Sequence, residues 1–229
     1  MTAEAVTRGR FVTLEGPEGS GKSTAARHLA EWLRGRGVAT VLTHEPGGTP
    51  LGEEIRRVVL HQRGLSEDLD PRADALLFAA ARAQHVARRI APALHRGEWV
   101  VCARYLDSSL AYQGGGYGNR MDELRRLQDF ATYGLTPDLT ILLDVPVEVG
   151  LARTRRRAEW NRFEDTEATD FFDRVRAAYL RLAAAEPQRF RIVDGSGSVD
   201  DADAAIREVM EPLVDRRTPG GTAPEERAR

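Results

Sequence analysis

The sequence predicts an α/β fold built on a five-stranded parallel sheet with helices on both faces. Short apolar runs alternate along the chain with longer segments of helical spacing, a pattern typical of parallel sheets whose faces are both covered. The runs are residues 11–15, 39–43, 98–102, 139–144 and 190–193. Because ligands bind outside the carboxyl ends of such strands, a site is expected in the turns that follow them. Those turns begin at Gly16, His44, Ala103 and Val145.

Apolar residues at helical spacing indicate the segments that would cover the sheet. Residues three or four apart share one face of a helix. One such set is Phe172, Val175, Tyr179 and Leu182, and a second is Leu76, Ala80, Ala83, Ile90 and Leu94. We expect each set to pack against a face of the sheet.

Length and composition favour one domain that acts on small molecules. The 229 residues, 41% of them hydrophobic, suffice for one core, which we assign to residues 9–215. Residues 216–229 are charged, contain Pro and Gly, and are predicted to be a disordered tail. A net charge of −2 argues against a nucleic-acid partner, and no apolar run approaches the roughly 18 residues of a membrane span. We therefore expect no membrane partner and a cytoplasmic location.

The chain contains one cysteine, Cys102, within the apolar run Trp-Val-Val-Cys. A single thiol cannot form an internal disulfide or a multi-cysteine metal site. We expect Cys102 to contribute packing, with a reactive thiol as the alternative.

A phosphate-binding loop follows the first predicted strand. Residues 16–23 read Gly-Pro-Glu-Gly-Ser-Gly-Lys-Ser, with a strand pattern before them and a helix pattern after them. This motif predicts a P-loop NTPase fold, in which backbone N–H groups and a helix N-terminus surround the phosphates of ATP. The residues expected to bind ATP are Gly16, Pro17, Glu18, Gly19, Ser20, Gly21, Lys22, Ser23 and Thr24.

Two of these residues have specific expected roles. Lys22 would neutralise charge on the β- and γ-phosphates, and the Ser23 hydroxyl would bind the Mg²⁺ that accompanies ATP. The alternative is a glycine-rich turn that merely precedes an ordinary helix. The loop identifies a phosphoryl donor and leaves the acceptor open.

Three further segments resemble the thymidylate kinase family. They are the His-Glu-Pro-Gly-Gly-Thr turn at residues 44–49, Leu-Phe-Ala-Ala-Ala-Arg at 77–82, and Arg-Tyr-Leu-Asp-Ser-Ser-Leu-Ala-Tyr-Gln-Gly at 104–114. The resemblance extends from about residue 11 to about residue 213. It implies a nucleoside monophosphate kinase-like fold with a lid, transfer of the γ-phosphoryl group of ATP to dTMP with Mg²⁺ in the pathway to dTTP, and a homodimer.

The second and third segments contain residues suited to hold a nucleotide base. Phe78 and Arg82 lie four apart on a predicted helix, so a ring that stacks on the base and a guanidinium that donates to its edge share one face. Phe78 taken alone would be interpreted as a core aromatic residue, but its pairing with Arg82 favours a role at the base. The resemblance implies that Phe78 and Arg82 hold thymine, that Ser109 and Gln113 contact the nucleotide, and that Tyr112 excludes a ribose 2′-hydroxyl.

Other residues are expected at the acceptor's phosphate and sugar. Arg104 would bind the phosphate in a bidentate manner, with a surface salt bridge as the alternative. Glu18 would accept a hydrogen bond from the 3′-hydroxyl, unless it is simply a solvated loop carboxylate. Glu45 and Pro46 form the turn beside the phosphate, where the family more often has arginine in place of His44, so this contact is expected to be weaker or dependent on pH.

An arginine-rich segment at residues 151–164 is predicted to be a lid. Closing such a segment excludes water and brings a cation to the transferring phosphoryl group. The alternative is a solvated basic surface. Together with Lys22 and Arg104, the residues expected to assist transfer are Arg153, Arg157 and Arg162, which the resemblance places in a bacterial subgroup that uses lid arginines.

Ala103 departs from the family pattern. Relatives have Asp-Arg-Tyr or Asp-Arg-His at the end of this strand, where this chain has Ala-Arg-Tyr. The resemblance places the missing carboxylate beside the Mg²⁺ and its waters. Ala103 leaves open a nucleotide-binding protein that turns over weakly or not at all. A second alternative to dTMP phosphorylation is a kinase on the same scaffold for dUMP or a 5-modified deoxypyrimidine monophosphate.

Overall fold

The sheet orders its strands so that the first lies at its centre. The computed structural model describes residues 8–61, 69–155 and 169–215. Its strands run in the order β2-β3-β1-β4-β5, and every neighbouring pair is parallel. The strands are β1 (Phe11–Glu15), β2 (Thr40–His44), β3 (Trp99–Ala103), β4 (Leu139–Asp144) and β5 (Phe190–Asp194). The predicted five-stranded parallel sheet is confirmed.

Strand boundaries differ from the prediction by one residue at most. His44 and Ala103 are the last residues of β2 and β3, whereas the sequence predicted that the following turns begin at them. The two residues pair with each other at the carboxyl ends of these strands, and this pairing extends the sheet to include both of them. A polar histidine and a small alanine carry no local signal for that pairing.

Helices cover both faces of the sheet. The helices are α1 (Lys22–Gly35), α2 (Pro50–Arg56), α3 (Pro71–His85), α4 (Ala91–His95), α5 (Leu106–Ser109), α6 (Met121–Thr132), α7 (Val147–Thr154), α8 (Thr169–Ala185) and α9 (Val199–Asp215). π-Helical segments occupy Arg57–His61, Val86–Ile90 and Leu110–Gly116.

Alternate residues of each strand enter two separate cores. In β1, Phe11 packs in the core beneath α8, while Val12 and Leu14 pack against α1 and α9. Both cores bury aliphatic and aromatic side chains, and such burial is worth about 25 cal/mol per Å² of apolar surface. The predicted apolar face of α8 is confirmed, because Phe172, Val175, Tyr179 and Leu182 are all buried.

The predicted apolar face of α3 is partly wrong. Leu76 is 57% exposed and Ala80 is also exposed, whereas Ile90 and Leu94 are buried as expected. The buried face of α3 instead includes three polar side chains, so a search for apolar residues at helical spacing could not identify this face. Its members are Asp74, Ala75, Ala79, Ala81, Arg82 and His85.

Two predicted regions extend beyond the part of the chain that the structure describes. Of the lid at 151–164, only residues 151–155 are described, so Arg157 and Arg162 lie outside the described residues. The predicted tail at 216–229 also lies outside them. The lid, the tail and the domain bounds 9–215 stay predictions.

Candidate active site

The phosphate-binding loop joins β1 to α1 at the centre of the sheet. Gly19 has a φ of 74° and packs so closely on α7 that a Cβ there would lie 2.1 Å from the carbonyl oxygen of Gly150. Only glycine fits this approach without a clash. Helix α1 begins at Lys22, directly after the glycines of the loop, so its N-terminus borders the loop.

The Lys22 side chain folds back onto the phosphate loop. Its Nζ donates to the carbonyl oxygen of Pro17 at 2.6 Å and to the Ser20 hydroxyl at 3.1 Å. These contacts hold the ammonium group against the loop. A phosphate bound there would meet a fixed cation and the positive end of the α1 dipole.

The residues at the start of α1 fit Mg²⁺ bound together with a nucleotide. Ser23 is exposed on the first turn, beside Lys22, and offers a hydroxyl oxygen. Within the described ranges, no group of three or more His, Cys, Asp or Glu side chains could form a metal site by itself. Mg²⁺ usually takes one or two protein oxygens and completes its shell with phosphates and water, so the Ser23 hydroxyl suits a Mg²⁺ ion that arrives with the nucleotide.

Arg153 clamps the loop that follows β5. Its guanidinium donates to the carbonyl oxygens of Gly195, Ser196 and Gly197 at 2.6, 2.8 and 3.0 Å. A Cβ on Gly195 would lie 3.4 Å from the carbonyl oxygen of Ser20, so this loop borders the phosphate loop. The predicted contact of Arg153 with the transferring phosphoryl group stays a prediction. In this structure Arg153 organises the donor side.

Arg104 leaves the end of β3 in a left-handed conformation, with a φ of 70°. This conformation is uncommon for arginine and directs the side chain toward the phosphate loop. There the guanidinium forms an ion pair with Glu18 and lies 5.0 Å from the ring centroid of Tyr112. The Tyr112 hydroxyl also donates to Glu18 at 3.0 Å. Three residues predicted for the acceptor site therefore meet at one point.

The surroundings of Arg104 stabilise its charged form. Burial disfavours the charged form, but the oxygens of Tyr112 and Glu18 outweigh it and hold the pKa of the guanidinium above its ordinary value. Burial raises the pKa of Tyr112 well above the ordinary range, so its hydroxyl stays protonated as a donor. A phosphate that approaches Arg104 thus meets a permanent cation.

Arg82 is the centre of a buried polar network and is 1% exposed. Its Nε donates to Glu45 at 2.7 Å, and its terminal nitrogens donate to Ser109 at 2.9 Å, to the Tyr105 carbonyl at 2.9 Å and to Gln128. These four bonds use four of the five N–H groups of an arginine. One N–H is thus left over, and its donation to a base carbonyl stays a prediction.

The neighbouring base-site residues lie around Arg82. Ser109 accepts from it, and Gln113, farther along the same segment, donates from its amide to Asp74 at 2.9 Å. Phe78 is half-buried and packs against the core, so part of its ring is accessible. These positions agree with a base pocket, and their contacts with dTMP stay predictions.

Glu45 joins this network to the turn after β2. Its second carboxylate oxygen lies 2.9 Å from His85 Nδ1, and His85 Nε2 lies 2.7 Å from the Thr43 hydroxyl. Glu45 is buried and precedes Pro46 through a cis peptide bond. Glu45 therefore orders the turn from within, and its predicted contact with dTMP stays a prediction.

His44 lies on the outer side of the same turn. Burial and the nearby Arg56 lower the pKa of its imidazole below the ordinary value, although Glu53, 3.2 Å away, opposes this. The ring is therefore mainly neutral at pH 7. An arginine at this position would be charged at every pH, so the expected weaker phosphate contact has a physical basis.

Sequence reasoning missed the residues that support Arg82. His85 and Gln128 were not singled out, and neither was Asp74, which accepts from Gln113. A signal was present on α3, because Asp74, Phe78 and Arg82 recur every four residues there. Gln128 lies on another helix, and no local pattern links it to the site.

Comparisons with known proteins agree on one family. The family model described as thymidylate kinase matches residues 14–206. The chain belongs to the thymidylate kinase family. It is 49% identical over 208 residues to the thymidylate kinase of Pseudomonas fluorescens (strain SBW25), covering 91% of this chain and 98% of that protein.

Two other relatives show the same extent of similarity. The thymidylate kinase of Leifsonia xyli subsp. xyli (strain CTCB07) is 55% identical over 200 residues, which is 87% of this chain and 93% of that protein. That of Alkalilimnicola ehrlichii is 47% identical over 219 residues, 95% of this chain and all of its relative. The residues matched by the family model include both the phosphate loop and the acceptor-side segments.

Proposed function

We propose that this chain transfers the γ-phosphoryl group of ATP to the phosphate of dTMP, yielding dTDP and ADP. The observation that carries the proposal is the contact between Arg104, at the end of the acceptor-side strand, and Glu18, within the phosphate loop. It brings the donor-binding and acceptor-binding elements together at one point. Phosphoryl transfer requires this proximity, because catalysis consists mainly of positioning and charge stabilisation.

On the donor side, Lys22 and the first turn of α1 bind the phosphates of ATP. Ser23 contributes a hydroxyl to Mg²⁺, which neutralises charge on the β- and γ-phosphates when it is bound. Arg153 holds the loop at Gly195–Gly197 beside the phosphate loop. Arg157 and Arg162 stay proposed lid residues.

On the acceptor side, Arg104 binds the dTMP phosphate in competition with its internal partner Glu18. Release of the Glu18 carboxylate frees it to accept from the 3′-hydroxyl of the sugar. Arg82 donates its remaining N–H to the base, and Tyr112 lies where a 2′-hydroxyl would project. Glu45 and Pro46 position the turn.

An exposed apolar surface on α3 and α6 supports the proposed homodimer. Phe130 on α6 and Tyr133 directly after it are 82% and 80% exposed, and Leu76 on α3 is also largely exposed. α3 and α6 are neighbours, because Arg82 contacts Gln128 and Arg72 pairs with Glu123. Large exposed apolar groups on adjacent helices are typical of a protein interface.

The proposal includes small molecules as the partners of this chain. Among the described residues, none of the helices combines the length and the apolarity that a bilayer crossing requires. ATP and dTMP are the proposed partners, and the cytoplasm is the proposed location because both nucleotides are found there.

An acceptor panel tests the proposal. The purified chain is incubated with ATP, Mg²⁺ and one acceptor at a time, and diphosphate products are separated by ion-exchange chromatography. We expect the highest kcat/KM with dTMP, lower values with dUMP and with the ribose counterpart of dTMP, and none with thymidine. A preference for another deoxypyrimidine monophosphate would replace the substrate assignment. No diphosphate from any acceptor would overturn the proposed activity.

A further inference from the structure

Glu15 is a buried carboxyl group that the proposed reaction does not use. It is the last residue of β1, directly before the phosphate loop, and it is fully buried. Its Oε1 accepts from the backbone N–H of Tyr105 at 2.7 Å. Its Oε2 lies 2.6 Å from the Ser108 hydroxyl and 3.0 Å from the Tyr179 hydroxyl. Glu15 therefore connects the start of the donor loop with the turn that follows β3.

The hydroxyl groups around Glu15 also contact one another. Ser108 Oγ lies 2.8 Å from Tyr179 Oη, so three oxygens form a closed triangle with hydrogen-bond distances on every side. A proton in each of the three contacts requires three protons. Ser108 and Tyr179 supply one each. The third must come from Glu15, because an ionised carboxylate would leave two oxygens in contact without a proton between them.

The electrostatic surroundings favour the same state. Burial, followed by the charge of the neighbouring Asp107, raises the pKa of Glu15 to about 7, against the hydrogen bonds from Ser108 and Tyr105 and the charge of Arg104, which lower it. Arg189 does not offset this, because it is engaged in a bidentate ion pair with Asp107 at 2.7 and 2.9 Å. Its remaining bonds go to Thr140 and Glu186.

Arg104 links this triangle to the acceptor site. One terminal nitrogen of Arg104 lies 3.4 Å from Ser108 Oγ, while the other pairs with Glu18. A negative Glu15 would add a second internal anion behind Arg104. That charge would draw the guanidinium inward and weaken its attraction for a phosphate.

We propose that Glu15 is a positioning residue whose protonated carboxyl leaves the charge of Arg104 available to the acceptor's phosphate. The inference rests on the proposed role of Arg104. As pH rises and Glu15 loses its proton, binding of the acceptor would weaken. Binding of ATP would not weaken in the same way, because the donor site has its own cation, Lys22. Other titratable or charged groups near Glu15 in the described structure are Cys102 on β3, Arg104 and Tyr105 after it, Asp107 on α5 and Tyr179 on α8.

Carbon-13 NMR tests the protonation state without reference to activity. In a sample labelled at the glutamate side-chain carboxyl carbon, we expect one resonance that titrates near pH 7 and is missing in Glu15→Gln. The amide introduced by this substitution would reproduce the protonated state, since it can donate to both hydroxyls and accept from Tyr105. Titration of the Glu15 resonance in the ordinary range near 4.5 would overturn the proposal.

Binding of dTMP tests the positioning role. We expect the Kd and KM for dTMP to rise several-fold in the wild type as pH passes upward through this titration, and Glu15→Gln to lack that rise. His44 and the dTMP phosphate also titrate, but both are unchanged in the variant, so the difference between the two profiles isolates Glu15. Glu54→Gln is the matched control, because it makes the same chemical change in an exposed ion pair with Arg57.

The possible outcomes are distinguishable. Identical pH profiles for the wild type and Glu15→Gln would overturn the positioning role, even if the acceptor panel confirms dTMP phosphorylation. If Glu15→Gln does not fold, Asp107→Asn provides the second variant, because removal of that charge is expected to move the Glu15 titration to lower pH. An unmoved titration would contradict the electrostatic basis of the proposal.

Discussion

His44 and Ala103 are register partners at the carboxyl ends of β2 and β3. Side chains paired in this way point to the same face of a parallel sheet. The two positions at which this chain departs from the family pattern are therefore neighbours. Where the pattern has arginine and aspartate, this chain has a mainly neutral imidazole and a methyl group, so one cation and one anion are lost together.

Ala103→Asp is expected to act on both His44 and the metal requirement. The new carboxylate should raise the pKa of His44, because a nearby anion favours the imidazolium. It should also lower the Mg²⁺ concentration for half-maximal rate and raise kcat. Proton NMR of the histidine ring and Mg²⁺-dependent kinetics measure these effects, with Ala103→Asn as the uncharged control. If the wild type already turns over at about 1 to 100 s⁻¹ and the variant is no faster, the missing aspartate does not matter.

Lys22→Ala is expected to reduce kcat by several orders of magnitude with little change in thermal stability. Lys22 neutralises charge that develops between the β- and γ-phosphates during transfer. It is the only lysine in the chain, so a sample labelled with ¹⁵N-lysine reports on this group directly. We expect its signal to shift when ATP binds to the wild type. Activity within a few-fold of the wild type would contradict the donor-site assignment.

Two substitutions at Tyr112 separate its ring from its hydroxyl. Tyr112→Ala is expected to reduce the preference for dTMP over its ribose counterpart, because the ring would no longer exclude a 2′-hydroxyl. Tyr112→Phe keeps the ring and should keep the preference, although it loses the bond to Glu18. The ratio of kcat/KM for the two acceptors is the measurement. Unchanged discrimination in the alanine variant would exclude Tyr112 from this role.

Arg153→Ala is expected to lower kcat more than it raises the KM for dTMP. In this structure the guanidinium holds the loop at Gly195–Gly197, so the KM for ATP should rise as well. Steady-state kinetics with each substrate varied in turn measure the three constants. An effect confined to the KM for dTMP would count against both the lid and the loop contact.

Arg82→Met is expected to lower the free energy of unfolding by about 3–5 kcal/mol, because it leaves Glu45 buried without its cation. The exposed pair of Arg57 and Glu54 is the control, and Arg57→Met there should change stability by about 0–1 kcal/mol. Urea denaturation followed by circular dichroism gives both values. Equal effects at the two sites would show that the buried network contributes no special stability.

Much of the donor side could be predicted from the sequence, because its signals are local. The phosphate loop is one contiguous motif, and each strand is a short apolar run whose neighbours in sequence are polar or helical. Three predicted strands differ by one residue from the observed strands, since the ladder partner and not the local sequence decides where pairing ends. The acceptor residues proposed on α3 were predicted from the spacing of Phe78 and Arg82 and from the family resemblance.

By itself, the sequence determined the parallel α/β sheet, the phosphate loop after its first strand and the residue types available for two nucleotides. Only the tertiary structure decided which face of α3 is buried, that His44 and Ala103 are neighbours, and that Glu15 completes a triangle of hydroxyl and carboxyl oxygens. The reason is distance along the chain. Glu15 and Tyr179 are 164 residues apart, and no local periodicity encodes a contact that forms only when β1 and α8 pack together.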